Sequence, residues 1–245
     1  MEMNDNFNYL EKLFCDIKSR KYIESMYYDS GAAGKMFECL INKKLDNKCT
    51  ADFMGIELKV SSMNSKFPIT LFSSFPKMYN KSFEESISFL ISTYGYNCEN
   101  NIKKLTINIK SNKIKYCKNG FGFMLKVSYK WNKIYLCIFH KNKIVFNRFY
   151  WTFEQLYNIF ECKLKNLAYI TYVQKEINGK KYVYYNNLTF YQLKKSSFLI
   201  KAIEKGIISI SFNMILYGSQ TIRYHGVNFV IHYNDFDSIY DKIRK

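Results

Sequence analysis

Apolar positions along the chain fall into helical and alternating stretches. Phe7, Leu10, Leu13, Phe14 and Ile17 recur at a helical period and predict an amphipathic helix over 7–28. Ser30-Gly31 offers a turn and cap, after which Met36, Phe37, Leu40 and Ile41 mark a second helix over 32–45. A polar loop over 47–50 leads into a hairpin-like apolar segment at 51–60, and 67–72 predicts the next strand, with Pro68 confined to its start or edge. Between Phe89 and Gly122 the pattern weakens into short strands and loops, with six lysines from Lys103 to Lys118. Alternation returns over 123–129 and 134–139, an antiparallel pair joined by 130–133. The segment 152–165 predicts a helix with Phe153, Leu156, Ile159 and Phe160 inward. Strands over 167–175 and 180–185 form a hairpin about Asn178-Gly179. A helix over 190–205 then ends at Gly206, and strands over 207–217 and 226–233 flank an exposed tip at 218–225.

These elements describe an α/β (α+β) protein with a mixed sheet flanked by helices. No repeat, low-complexity tract or Ser/Pro linker divides the chain, so residues 1–245 are expected to form a single bilobed unit. Hydrophobic residues make up 48% and aromatic residues 18%, with Gly and Pro scarce, which excludes disorder. No apolar run is long enough for a bilayer, and Met1-Glu2-Met3-Asn4-Asp5 carries acids where a secretory leader carries positive charge. A soluble, cytoplasmic protein without membrane partners is expected. Seven irregularly spaced cysteines without a CxxC pair fit a reducing compartment, and with three histidines they point away from a zinc centre. The charge of +17, from 37 basic against 20 acidic residues, points to a polyanionic partner. Drift in an AT-rich genome, which enriches lysine, is the competing source.

The candidate chemistry lies in Ala51-Asp52-Phe53-Met54-Gly55-Ile56-Glu57-Leu58-Lys59-Val60. In an extended strand Glu57 and Lys59 share one face, while Leu58 and Val60 turn into a core. Asp52 returns toward them if Gly55 bends the chain. Two carboxylates and the Leu58 carbonyl can hold Mg²⁺, with Lys59 placed to orient a water, the layout of a metal-dependent phosphodiesterase. Acid-x-Lys recurs at Asp16-Ile17-Lys18, Asp46-Asn47-Lys48 and Glu161-Cys162-Lys163, but in helical patterns or a polar loop. A surface hairpin with a solvated Glu–Lys pair competes with the metal reading. Glu38 is either a solvated helix residue or a further acid aimed at the metal. The tip, with Gln220, Arg223, Tyr224 and His225, is either a solvated loop or a set of groups able to read base edges.

The chain resembles the MvaI/BcnI type II restriction endonucleases, relatives of the MutH/Sau3AI group within the PD-(D/E)XK nucleases. The resemblance rests on Ser30-Gly31-Ala32-Ala33-Gly34-Lys35-Met36-Phe37-Glu38, on Asp52-Phe53-x-x-Ile56-Glu57-Leu58-Lys59, and on Thr70-Leu71-Phe72. It continues through Tyr150-Trp151-Thr152-Phe153-Glu154-Gln155-Leu156 and His225-Gly226-x-x-Phe229-x-Ile231, in order over about 21–240. Val60 departs from the threonine more usual after the lysine, and the tip is shorter and poorer in histidine than the family pattern.

The resemblance implies a Mg²⁺-dependent, site-specific DNA endonuclease with Asp52, Glu57 and Lys59 as the catalytic set and Glu38 as an auxiliary acid. Asp52, Glu57 and Leu58 would hold the metal, in a catalytic core centred on 21–80. DNA contacts would come from Lys35, Gln220, Arg223, Tyr224 and His225, with recognition elements toward 120–245 and the tip at 217–226. A monomer cutting the two strands of double-stranded DNA in successive nicks at a CC/GG-containing sequence is implied, alongside a separately encoded protective methyltransferase. A strand-directed nicking enzyme of the mismatch-repair type and a catalytically inactive DNA-binding module are the alternatives.

Overall fold

The computed structural model describes residues 2–43, 50–218 and 221–244. The chain divides into two compact units, one comprising Met1–Ile69, Ile159–Lys195 and Ile239–Lys245, the other Thr70–Asn158 and Ser196–Ser238.

The first unit is built on a mixed five-stranded sheet. Its centre is the hairpin Asn166–Ile177 and Lys180–Leu193, closed by Asn178 and Gly179 at φ 51° and 75°, the left-handed pair that a tight hairpin of matching twist requires. Strand Glu57–Ser62 runs parallel to Asn166–Ile177 at one edge, placing Glu57 opposite Leu167 and Lys59 opposite Tyr169. Ile23–Glu24 and Tyr240–Arg244 pair antiparallel with Lys180–Leu193.

Helices Glu2–Ser19 and Ala32–Leu40 close one face of this sheet. Phe7, Leu10, Phe14 and Ile17 from the first, and Ala33, Met36 and Phe37 from the second, share one core with Leu58, Ala168, Ile170 and Tyr185. The first helix is earlier than its expected span of 7–28. Its apolar period ends at Ile17, Lys21 turns left-handed at φ 57°, and pairing with Val183 and Tyr182 draws Ile23 and Glu24 into the sheet. The second helix stops at Leu40 because Asn42, at φ 58°, reverses the chain. Positions 44 and 45 of its expected span, and most of the 47–50 loop, lie outside the described residues.

The second unit contains two antiparallel five-stranded sheets. One orders Lys77–Met78, Lys143–Thr152, Lys133–His140, Phe121–Ser128 and Lys115–Tyr116; the other orders Ile69–Ser73, Thr221–Ile231, Ser209–Tyr217, Ile102–Ile109 and Tyr96–Cys98. Trp151 and Phe229 meet edge to face in its core, and the buried indole N–H donates to the Ser74 carbonyl at 3.0 Å.

Three expectations for this part of the chain need correction. Residues Phe83–Tyr94 form a helix whose second half, from Phe89, enters the region expected to hold short strands and loops. Ser82 starts it by accepting the Glu85 N–H at 3.1 Å while the Glu85 carboxylate accepts the Ser82 N–H at 2.8 Å, a reciprocal capping box. The helix expected over 190–205 is Ser197–Glu204, because residues 190–193 stay in the sheet against Tyr240–Arg244. Finally, residues 221–225 of the expected tip belong to strand Thr221–Ile231, since Tyr217 already pairs with Thr221 and Arg223 with Ile215.

Candidate active site

Asp52 reaches strand Glu57–Ser62 through a two-residue turn. Phe53 and Ile56 exchange both backbone hydrogen bonds, at 2.9 and 2.8 Å, around Met54 at φ 47° and Gly55 at φ 80°. Consecutive left-handed residues make this tight reversal, and glycine adopts that conformation without steric cost. The Asn166 side-chain amide donates to the Gly55 carbonyl at 3.3 Å and ties the turn to the sheet. Asp52 Oδ2 then accepts the Leu58 N–H at 3.1 Å. The carboxylate thus caps the outer edge of a strand whose other edge is paired.

Strand alternation does the rest. Leu58 and Val60 join the core with the two helices, while Glu57 and Lys59 point to the opposite face. Lys59 Nζ lies 2.7 Å from Glu57 Oε1, and Lys163, from the last turn of helix Phe153–Lys163, lies 3.6 Å from the same oxygen. Glu57 is 1% exposed, and its Oε2 is buried with no hydrogen-bond partner among the described residues. Burial pushes its pKa up to about 7, against the pull of Lys59 and with a further push from Asp52.

Glu38 and Asp52 are joined by a residue that sequence reasoning missed. Lys43 Nζ lies 3.0 Å from Glu38 Oε2 and 3.0 Å from Asp52 Oδ1. Burial opposes the charge of Lys43, but the two carboxylates outweigh it and hold its pKa above the ordinary range. Burial likewise opposes ionisation of Asp52. The Leu58 N–H and Lys43 overcome it and keep that carboxyl below its usual value. Asp52 and Glu57 are therefore tuned apart, the first ionised and the second poised near neutrality.

All of these groups belong to the first unit: Glu38, Lys43, Asp52, Glu57, Leu58, Lys59 and Lys163. Lys43 carries no sequence signal beyond following Glu38 by five residues. Lys163 sits in Glu161-Cys162-Lys163, an acid-x-Lys match that looks like a helical decoy and reaches the site only through tertiary folding. Among the described residues no three His, Cys, Asp or Glu side chains converge as a metal cluster. The donors on offer are the Asp52 carboxylate, the partnerless Glu57 Oε2 and the Leu58 carbonyl. An all-oxygen set of this kind suits a hard divalent cation such as Mg²⁺.

The remaining sequence candidates are placed as follows. Lys35, one turn before Glu38, is paired with Asp29 and lies 5.9 Å from the Tyr27 ring centre. Gln220 lies outside the described residues. Arg223 and His225 belong to the second unit and are exposed, where alternation along Thr221–Ile231 turns them outward. Tyr224, between them, is half buried; its ring meets Phe83 and Phe75 edge on, and its hydroxyl accepts the Val227 N–H at 3.1 Å. A bulge falls at this point, with Phe212 paired to Val227 and Met214 to Tyr224. Gly226 supplies it at φ 104°, and such bulges re-aim neighbouring side chains.

The family model described as the MvaI/BcnI restriction endonuclease family matches residues 11–240. Among solved structures, a restriction endonuclease MvaI–cognate DNA substrate complex is similar at a TM-score of 0.87, with 24% identity over 97% of each chain. Restriction endonuclease MvaI in the absence of DNA is similar at a TM-score of 0.61, with 24% identity over 97% of this chain and 96% of that one. Comparison with curated proteins gives no match. No helix among the described residues is long and apolar enough to cross a membrane.

Proposed function

The chain belongs to the MvaI/BcnI restriction endonuclease family and is a type II site-specific deoxyribonuclease, and from that premise we propose that the Asp52–Glu57–Lys59 cluster hydrolyses DNA phosphodiester bonds with Mg²⁺. The observation that carries this reading is a buried Glu57 with one oxygen on two lysines and the other without a partner. Asp52, Glu57 and the Leu58 carbonyl would hold Mg²⁺, which when bound lowers the pKa of a water and neutralises charge on the phosphate. Lys59, held on Glu57, orients the attacking water and places an ammonium where negative charge grows on phosphorus oxygens. Lys163 shares Glu57 Oε1 and keeps that carboxylate compensated when Lys59 turns to substrate. Glu38 acts as the auxiliary acid beside Asp52, the two being bridged by Lys43 before the metal binds.

The excess of basic residues supplies affinity for the DNA backbone that is independent of sequence and weakens with salt. Lys35 contributes to that term, while Gln220, Arg223, Tyr224 and His225 read bases, with recognition elements toward 120–245. The substrate site is a short, CC/GG-containing sequence in double-stranded DNA. The enzyme acts in the cytoplasm as a monomer that nicks the strands in turn, and a separately encoded methyltransferase protects host DNA. Digestion of unmethylated, sequence-diverse DNA followed by mapping of the ends tests this. Ends clustered at one CC/GG-containing motif, with nicked circles preceding linear plasmid, are expected; scattered ends, or nicks that never mature, contradict it and favour the strand-directed nicking alternative.

A pH dependence follows from Glu57. Its carboxyl titrates near 7 in the fold against an ordinary 4.5, so the folded chain retains a proton that the unfolded chain releases in this window. Stability from this group is present below about 4.5 and is lost as pH rises through about 7. Metal ligation needs the ionised carboxylate, so a proton competes with the metal. The Mg²⁺ concentration giving half-maximal cleavage is expected to fall by about fivefold between pH 6 and pH 7, by about twofold more to pH 8, and to level off above. A half-saturating concentration that is constant from pH 6 to pH 8 would remove Glu57 from the metal site.

A further inference from the structure

Both oxygens of Asp52 are engaged. Oδ2 accepts the Leu58 N–H at 3.1 Å and Oδ1 lies 3.0 Å from the Lys43 ammonium, which also holds Glu38 Oε2 at 3.0 Å. The Leu58 bond is part of the strand edge and fixes how the carboxylate is turned. Oδ1 is thus the oxygen left to face a ligand, and a cation already sits on it. A divalent ion bound there at about 2.1 Å would bring like charges within a few ångströms of each other in a half-buried site. Lys43 is 10% exposed at its side chain, so solvent does little to screen that repulsion.

The backbone around Lys43 allows an alternative. Its own N–H donates to the Glu38 carbonyl at 2.9 Å, just beyond the left-handed Asn42 that ends the helix. The anchor is therefore in the main chain, and the four-carbon stem of a lysine can swing its ammonium away without disturbing that anchor.

We propose that Lys43 is a tethered cation that competes with the metal for Asp52 Oδ1, so that metal entry is coupled to release of the Lys43 side chain. Lys43 is a positioning residue in this scheme: it holds Glu38 and Asp52 together as a neutralised pair and sets the threshold for metal binding. The proposal rests on the assignment of Asp52 as a metal ligand.

Two measurements on the full chain test it, both with Mn²⁺ alone as the probe and without DNA. Free Mn²⁺, counted by electron paramagnetic resonance, is expected to show binding to the wild type and about tenfold tighter binding to Lys43→Met. Acetylation of surface amines read by mass spectrometry is expected to find Lys43 protected in EDTA and several-fold more reactive in saturating Mn²⁺. Glu57→Gln is expected to lose that rise. The labelling needs no variant to fold, and a purely structural lysine would not respond to Mn²⁺. Wild-type Mn²⁺ binding with unchanged Lys43 reactivity overturns the competition while leaving the metal site intact. No Mn²⁺ binding by the wild type overturns the metal assignment and the competition with it.

Discussion

Replacing Glu57 by Gln is expected to lower DNA cleavage by about 10³-fold or more while leaving a folded protein that still binds DNA. The carboxylate is 1% exposed, its Oε1 sits on Lys59 and Lys163, and its Oε2 is buried with no donor among the described residues. An amide of the same shape keeps the packing and removes the charge that both a metal and Lys59 need. The stability consequence is small because two changes oppose. Burial makes the Glu57 charge costly, as its pKa near 7 records, so neutralising it relieves the fold. Lys59 and Lys163 lose a partner, but at 17% and 23% side-chain exposure they can turn toward water. The net shift is expected to stay within about 1 kcal/mol. Thermal unfolding, gel-shift binding and cleavage measured on one preparation separate these effects. A large fall in melting temperature would mean that Glu57 is a structural counter-ion for the two lysines.

Phe37→Ala is expected to produce the opposite profile, a loss of roughly 3–5 kcal/mol of stability with the chemistry untouched in whatever remains folded. Phe37 is fully buried, with the Phe14 and Tyr185 rings at 6.5 and 5.1 Å. The Tyr185 hydroxyl donates to the Ala33 carbonyl at 2.6 Å, so ring and hydroxyl together hold helix Ala32–Leu40 on the sheet. That helix carries Glu38 on its outer side. Truncation at Phe37 leaves a cavity shared by both helices and the hairpin, which cannot all close on it at once. Denaturant unfolding measures the loss, and activity is expected to persist at low temperature and vanish at a lower midpoint than in the wild type. Full stability in Phe37→Ala would show that the core is not organised around this ring.

Strand Glu57–Ser62 was legible because its signal is local. Alternation alone places Leu58 and Val60 inward and Glu57 and Lys59 on the other face, and Met54-Gly55 is a turn that returns Asp52 to Leu58. Asn178-Gly179 was legible for the same reason. Lys43 and Lys163 were not, since each becomes a partner only after a helix end is set against the sheet. The helix Phe83–Tyr94 was legible in principle from Ser82 and Glu85, three residues apart, followed by buried Ile87, Leu90, Ile91 and Tyr94. Strand Lys143–Thr152 hides its alternation, because its first half lies largely exposed and two irregularities interrupt its pairing. Residues 190–193 look helical alone and are strand because Tyr240–Arg244 pairs with them from the far end of the sequence.

The same logic explains the hairpin of Ser209–Tyr217 and Thr221–Ile231. Composition suggested a loop from 218 to 225, since Arg, Tyr, His and Gly are common in polar tips. Cross-strand pairing of Thr221 with Tyr217 extends the strand through Arg223 instead, and gives Arg223 and His225 a rigid, outward-facing platform. Side chains on such a platform lose less entropy on meeting DNA than side chains on a free loop.

The most direct test is incubation of the wild-type protein with unmethylated plasmid and phage DNA in Mg²⁺, in EDTA, and in EDTA followed by excess Mg²⁺. Discrete fragments in the first and third reactions and uncut DNA in the second are the expected result. Fragments in EDTA, or intact DNA in all three from folded protein on substrates carrying every CC/GG pentamer, would contradict a metal-dependent nuclease built on Asp52, Glu57 and Lys59.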